Sequence, residues 1–223
     1  IAFIIEGKRG RDSLDLLERR AKSQMSTCLA ILKMVAKHHQ EIKKMVDEAR
    51  GSLKQESEQP VSIRMDHFKG NIPLKYPLIS IETGKDSVFV VEEYHSLVKS
   101  ILDVKPPKGY LIPKNDTLLC NWLKRSFFKY GTELPATYNV WQYKINKLNK
   151  SVDEELENWY AQVEKQKHET DFDPAKYYYI PVNQIYKYKI ITAIEPQAMY
   201  GIVNYKDFEY LLQNKYFPVL RLE

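Results

Sequence analysis

The sequence contains few cysteines, few histidines and no long hydrophobic run. Its 2 Cys, Cys28 and Cys120, lie among apolar neighbours at helical spacing, which predicts buried free thiols and does not fix the cellular compartment. No apolar stretch reaches the roughly 20 residues that a membrane-spanning helix needs, and the N-terminus lacks the regions of a secretion signal. We therefore expect no membrane span.

The charge of the chain is nearly balanced and evenly distributed. The 34 basic and 29 acidic residues give a formal net charge of +5, and no face is reserved for phosphates. We therefore expect no nucleic-acid partner. With 43% hydrophobic residues in 223, the chain can bury a core, and its length predicts one large domain or two small ones.

The chain begins inside a predicted strand. Residues 1–5 are all apolar, without an initiating Met or a preceding turn, which is typical of a buried strand of a parallel sheet. Such a strand needs neighbours on both sides, and the sequence that follows supplies no partner for it. We therefore expect this chain to be a C-terminal fragment whose missing N-terminal part is a partner of its first segment.

A long amphipathic helix is predicted next, with Ser13 as its N-cap. Apolar residues recur at three- and four-residue steps from Leu14 to Ala49, which places them on one face. Unbroken, this helix would be about 55 Å long, so we expect a break at residues 38–40 and an end at Gly51. Residues 51–60 have the composition of a linker, so the predicted domains are residues 1–52 and 53–223.

The second domain is predicted to be mixed α+β. Residues 61–102 alternate with a period of two, which indicates antiparallel strands. The fold class is therefore α/β to α+β: the last strand and helix of an α/β domain, followed by a mixed α+β domain. Further predicted elements are strands at 109–113 and 177–182 and a charged surface helix or excursion at 153–169. Two more helices are predicted: one capped near residues 115–117 and ending at Gly131, with Leu119, Trp122, Leu123 and Phe127 inward, and one at 205–213.

Glu6 is the most interesting carboxylate. It follows a buried strand and precedes a glycine-containing loop, which is where α/β sheets bind their ligands. In a metal hydrolase a carboxylate there can act as general base and then as general acid. The structural alternative is an ion pair with a nearby arginine. Arg9 and Arg11 likewise either bind a peptide carboxylate through two hydrogen bonds or form ion pairs.

Two further features have a functional and a structural interpretation. His38 and Glu41 match the His-x-x-Glu zinc pattern, but they lie late in a helix on its polar side, and catalytic zinc needs a third ligand and an open position. We predict a solvated helix end and no metal ligand in this chain. The 16 Tyr either offer stacking platforms for bases or sugars or, as is commoner, pack their rings.

The run Phe3-Ile4-Ile5-Glu6-Gly7 is followed by a loop and then by Leu17-Glu18-Arg19-Arg20. This run resembles the last core strand, catalytic glutamate and following helix of zinc metallocarboxypeptidases related to carboxypeptidase A. Gly7, where threonine is common, and the basic loop 8–11 depart from the pattern of that family. Four later segments resemble the extra domain of large bacterial members, in the expected order: 106–113 (PPKGYLIP), 182–184 (VNQ), 195–196 (EP) and 218–221 (PVLR).

The resemblance implies a zinc-dependent hydrolase that removes C-terminal residues from peptides. Glu6 matches the general base, Arg9 and Arg11 are candidates for substrate binding, and the zinc ligands would lie upstream of residue 1, so the fragment alone is expected to be inactive. It also implies a periplasmic or extracellular location. The alternative is a non-catalytic peptide- or glycan-binding module, or pseudoenzyme, in which residues 61–223 present a tyrosine-rich surface.

Overall fold

The chain divides into two compact units, Ile1–Lys54 and Gln55–Glu223. The computed structural model describes residues 16–153, 156–168 and 172–223, and only the backbone within 150–160. Its elements are mixed helices and antiparallel strands, which confirms the α+β prediction. The assignment of residues 1–52 to a peptidase domain and of 53–223 to an accessory domain stays a prediction.

The first unit is described as two helices, α1 (Leu17–Lys37) and α2 (His39–Leu53). They are separated at His38, whose φ of −111° and ψ of 20° leave the helical region, so the predicted break is confirmed. Gly51 does not end the helix, because α2 continues to Leu53. A glycine lowers helix stability by only about 1 kcal/mol relative to alanine, which does not by itself force an end.

The apolar stripe of α1 and α2 is not buried. No residue of either helix is buried, and Cys28 is exposed, so the prediction of a buried thiol was wrong at this position and is confirmed only for Cys120. Helical periodicity places apolar residues on one face. It does not determine what covers that face.

The second unit is built around a five-stranded antiparallel sheet in the order β7-β6-β9-β5-β8. Strand β9 is only three residues long, yet it pairs with β5 on one side and with β6 on the other. The five strands are β5 (Gly109–Pro113), β6 (Val140–Asp153), β7 (Leu156–Lys167), β8 (Tyr177–Pro181) and β9 (Leu220–Leu222).

Strand β7 corrects the prediction of a charged surface helix or excursion at 153–169. It pairs with β6 over its whole length. In its described part, Ala161 is buried and Val163 packs against the core, whereas Gln162 and Glu164 are exposed. This alternation is typical of a strand with one buried and one solvent-exposed face. The many charged residues obscured it in the sequence.

Helix α3 (Thr117–Arg125) begins where predicted, because the Asp116 carboxylate accepts a hydrogen bond from the Leu119 backbone N–H at 2.9 Å. It ends well before Gly131, because Ser126 is extended and its hydroxyl donates to the Leu123 carbonyl at 2.7 Å. Leu119 and Leu123 are buried as predicted. Phe127, predicted to point inward, is exposed and Phe128 is buried in its place, since helical spacing no longer applies there.

Helix α4 (Lys187–Ile194) buries Ile190, Ile191 and Ile194 against the same core. It also buries its first residue, Lys187, whose side-chain ammonium donates a hydrogen bond to the backbone carbonyl of Gln55. The beginning of this unit is thereby tied to α4. Three short 3-10 helices complete the unit: Pro174–Lys176, Ile202–Asn204 and Lys206–Leu212, the last in place of a predicted helix at 205–213.

The antiparallel strands predicted between 61 and 102 are confirmed. Val61 and Ile63, in the first of them, are buried and belong to the core. The outer pair is β1 with β4, and the inner pair is β2 with β3, so the four strands nest as one long hairpin. Their bounds are β1 (Val61–Phe68), β2 (Leu74–Ile79), β3 (Asp86–Val91) and β4 (Leu97–Val104).

We expect Leu123→Ala to lower the free energy of unfolding by about 2–5 kcal/mol, because it leaves a cavity in a close-packed core. Urea denaturation followed by circular dichroism measures this. Leu118→Ala is the matched control, since Leu118 lies on the same helix but is exposed, and it should change stability by less than about 0.5 kcal/mol. Equal effects would mean that the core packing around α3 is not as described.

Candidate functional site

The residues predicted to carry catalysis and substrate binding, Glu6, Arg9 and Arg11, lie outside the described residues. Their roles stay predictions. The other candidate pair lies at the break between α1 and α2, where Nδ1 of His38 is 3.1 Å from Oε2 of Glu41. This contact between partly exposed side chains fits the predicted solvated helix end.

The described residues offer few groups of side chains that could bind zinc. Within 16–153, 156–168 and 172–223, no three His, Cys, Asp or Glu side chains are grouped so that they could hold a metal ion. Catalytic zinc in proteins takes three protein ligands. The described residues therefore do not by themselves form the zinc centre that the resemblance implies, and zinc in the intact protein stays a prediction.

The segments that resemble the extra domain of carboxypeptidases, although far apart in sequence, meet around β5. That strand, from segment 106–113, pairs with β9, from segment 218–221. At its beginning, Lys108 donates its backbone N–H to Leu222 at 2.8 Å and accepts a hydrogen bond from the N–H of Val182, in segment 182–184, at 3.0 Å. Segment 195–196 reaches the same place through the side chain of Glu195.

Glu195 and Arg221 form a buried ion pair beneath the sheet, with relative side-chain exposures of 2% and 3%. Oε1 of Glu195 accepts hydrogen bonds from Arg221 and from the Tyr110 hydroxyl, the latter at 2.5 Å. Oε2 accepts one from the Tyr143 hydroxyl at 2.6 Å. Glu195 is positioned by the end of α4, Tyr110 by β5, Tyr143 by β6 and Arg221 by β9. We call these four residues the Glu195 cluster.

The remaining donors of Arg221 are also used. Its Nε donates to Oε1 of Glu223 at 2.8 Å, and its Nη2 donates to the backbone carbonyl of Lys105. Glu223 in turn accepts a hydrogen bond from Lys165 at 2.8 Å. Every charged group of the network is therefore matched by an opposite charge or a hydrogen bond, as burial requires.

The electrostatics of the Glu195 cluster favour a structural role. Burial raises the pKa of Tyr110 and of Tyr143 well above the ordinary value, and the negative charge of Glu195 raises both further. Burial acts to lower the pKa of Arg221, but Glu195 together with Tyr143, Tyr110 and Glu223 outweighs it, and the net effect is to raise that pKa. At neutral pH the hydroxyls therefore keep their protons and the guanidinium keeps its charge.

Beside the network lies a cleft of about 370 Å³, whose walls include Lys105, Lys108, Asn183 and Glu223. Both of its lysines are already engaged: Lys105 pairs with Glu58, and the Lys108 ammonium donates to the Thr137 carbonyl at 2.8 Å.

A larger, more open groove of about 620 Å³ runs past the start of α3. Its lining residues include Tyr177, Tyr210, Asn115 and Asn214. The Tyr210 hydroxyl donates to Oδ2 of Asp116 at 2.6 Å, and the ring of Phe172 lies 5.6 Å from that of Tyr177. Aromatic faces flanked by amides are suited to a polar ligand with an apolar face, such as a short glycan.

The three consecutive tyrosines 177–179 are held by packing. The ring of Tyr178 meets that of Tyr130 edge to face at 5.4 Å, and the Tyr179 hydroxyl donates to the Lys108 carbonyl at 3.0 Å. All three are half-buried. Ring packing, the commoner of the two predicted roles, therefore describes Tyr178 and Tyr179, whereas Tyr177 also lines the groove.

Comparison with known proteins identifies no relative: no protein-family model, no curated protein and no solved structure matches the chain. The carboxypeptidase resemblance therefore stays a proposal. Among the described helices, none has the length and apolar character needed to cross a membrane.

The Glu195 cluster was not predicted as a site from the sequence, although three of its residues, Tyr110, Glu195 and Arg221, belong to the segments that resemble the extra domain. A signal was present. Arg221 lies between Leu220 and Leu222, and Glu195 follows the apolar run of α4. A charged residue in such surroundings needs a buried partner, but the sequence alone does not name that partner.

We expect Glu195→Gln to lower the free energy of unfolding by about 3–5 kcal/mol, because it leaves the buried Arg221 charge without a counterion. Chemical denaturation at pH 7 measures this. Glu164→Gln is the matched control, since Glu164 is exposed and lies 3.9 Å from Lys144, where a pair contributes about 0–1 kcal/mol. A mild effect of Glu195→Gln would contradict the description of the pair as buried.

We expect stability to fall steeply above about pH 10, the pKa of tyrosine in an unfolded chain. The folded pKa values of Tyr110 and Tyr143 are raised, so the unfolded chain loses protons that the folded chain keeps. Their contribution is fully present below pH 10 and is lost as pH rises, by about 1.4 kcal/mol per pH unit for each tyrosine. Urea titrations between pH 8 and 11 measure this slope.

Tyr143→Phe should make the slope of stability against pH shallower by about 1.4 kcal/mol per pH unit, because it removes one of the two tyrosines that release a proton on unfolding. Tyr188→Phe is the control, since Tyr188 is exposed on α4, and it should leave the slope unchanged. A slope that does not depend on Tyr143 would show that its hydroxyl is not held as described.

Proposed function

We propose that this chain is the C-terminal part of a zinc-dependent carboxypeptidase-like hydrolase that removes C-terminal residues from peptides. Glu6 is its general base, and residues 53–223 form an accessory domain. The fragment alone is inactive, because the zinc ligands belong to the missing N-terminal part of the catalytic domain.

The observation that carries the proposal is the meeting of the four resembling segments. Each segment is short and only moderately specific by itself. In the fold, however, segments 106–113 and 218–221 pair in one sheet, and three of the four segments supply Tyr110, Glu195 and Arg221 to one buried cluster. Because these residues contact one another in one cluster, we expect them to occur together in the same kind of domain. This supports treating the four segments as one resemblance.

The proposed chemistry of this chain's own residues is limited to Glu6 and its neighbours. The Glu6 carboxylate accepts a proton from the attacking water and returns it to the leaving amine, which is the general-base and general-acid sequence of peptide hydrolysis. Arg9 and Arg11 bind the terminal carboxylate of the substrate through paired hydrogen bonds. The Glu195 cluster takes no part in this chemistry.

The alternative function is a non-catalytic module that binds glycans or peptides. The groove lined by Tyr177, Tyr210, Asn115 and Asn214 favours it, and of the two ligands it favours a short glycan. In that case residues 1–52 only pack against other polypeptide, and Glu6 forms an ion pair with a neighbouring arginine.

We expect Glu6→Gln, made in the intact protein with its upstream sequence, to lower the rate of C-terminal residue release by about 10²–10⁴, the usual contribution of a general base. Release of the terminal amino acid from a short peptide measures the rate. Zinc content should stay the same, because Glu6 is not proposed as a ligand.

Glu18→Gln is the matched control. Glu18 lies in α1, is exposed and pairs with Lys22 at 2.6 Å, so its amide variant should keep the activity of the parent protein. An unchanged rate in Glu6→Gln would remove Glu6 from the mechanism. An intact protein with neither stoichiometric zinc nor peptidase activity would instead favour the binding module.

A further inference from the structure

The long hairpin formed by β1–β4 carries its apolar side chains on the outside. Its base is anchored, because Val61 and Ile63 belong to the core. Beyond the base, no residue between Met65 and Ser100 is buried, and we call residues 65–100 the β-arm. An isolated two-stranded ribbon is only marginally stable in water, and large contiguous exposed apolar patches mark interaction surfaces.

The inner ribbon, β2 with β3, has two distinct faces. Side chains alternate between the faces of a strand, and the register joins Tyr76 to Phe89 and Pro77 to Val88. One face, which we call the Val88 face, therefore carries these six residues: Lys75, Pro77 and Ile79 from β2, and Asp86, Val88 and Val90 from β3. The opposite face, which includes Tyr76, Ser87 and Phe89, carries no charged residue from either strand.

The Val88 face is apolar in its middle and charged at its ends. Ile79 and Val88 are 69% and 59% exposed. Lys75 lies at the end of the ribbon near the base, paired in register with Val90, and Asp86 lies at the end near the tip, paired with Ile79. A positive and a negative charge thus occupy opposite ends of one small apolar surface.

This arrangement is self-complementary. A two-fold axis that crosses the strands at the middle of the face brings the base end of one copy over the tip end of the other, as an isologous contact requires. Apolar centre then meets apolar centre, and each Lys75 reaches the Asp86 of the other copy across sheets packed about 10 Å apart. The uncharged opposite face has no such complementarity.

Face-to-face contact is also favoured over pairing through the edge of β2. Pro77 has no backbone N–H, so β2 lacks one of the donors that an added strand would need. From these observations we propose that two copies of this chain associate through the Val88 face, with two symmetric Lys75–Asp86 ion pairs at its ends. The interface is small, so the dimer is weak, with a dissociation constant on the order of 10 µM.

Sedimentation equilibrium of the 223-residue chain from about 1 to 300 µM tests the proposal. We expect a monomer–dimer equilibrium, and we expect Lys75→Glu or Asp86→Lys alone to weaken it about tenfold, because like charges then face each other across the interface. The double variant Lys75→Glu with Asp86→Lys should restore the affinity of the parent chain, because the two ion pairs re-form with reversed signs.

Two further variants locate the surface. Val88→Asp should abolish association, because it buries a charge at the centre of the interface. Ser87→Glu, on the neighbouring position of the opposite face, should leave association unchanged. Circular dichroism checks that each variant keeps its fold, which is expected because all of these side chains are exposed.

Three outcomes would overturn the proposal. If the chain stays monomeric at every concentration, a second copy is not the partner of the β-arm. A double variant that does not recover affinity excludes the Lys75–Asp86 pairing. A dimer weakened by Ser87→Glu as much as by Val88→Asp uses the opposite face.

Discussion

Moving a carboxylate and a guanidinium from water into a protein interior is costly, by several kcal/mol for each ion. The ion pair between Glu195 and Arg221 offsets this cost, and two tyrosine hydroxyls donate hydrogen bonds to the carboxylate. Arg221 belongs to a three-residue strand in the middle of the sheet. A strand this short has few ladder hydrogen bonds, so its register depends on the side chain that connects it to the end of α4.

The same network explains why distant parts of the chain come together. Tyr110 and Glu195 are 85 residues apart, and Tyr143 and Glu195 are 52 apart. Local sequence patterns indicate individual strands and helices. Contacts between residues so far apart form only after long loops have closed, which costs conformational entropy. The sequence therefore indicated β5, β8 and the start of α3, and it did not reveal the cluster that joins them.

What could and could not be predicted follows from how local each signal is. Alternation over 61–102 predicted antiparallel strands correctly, and the cap at Asp116 predicted the start of α3. In β7, charged residues obscured an alternation that the buried Ala161 reveals. Apolar periodicity identified the apolar faces of α1, α2 and the β-arm but not what surrounds them. A sequence pattern shows which side chains share a face, and it does not show what packs against that face. The proposed catalytic site, at Glu6, rests on sequence alone.

Lys187 gives the second unit a built-in chemical reporter. Its side chain is among the least accessible in the unit, with a relative exposure of 2%, and burial lowers its pKa against the opposing influence of Glu56. Acylating reagents attack only neutral, accessible amines, so Lys187 becomes reactive only when α4 separates from the backbone at Gln55. Lys189, exposed two residues further on, reacts without any such separation, and the ratio of the two rates follows local opening in a chain that is otherwise folded.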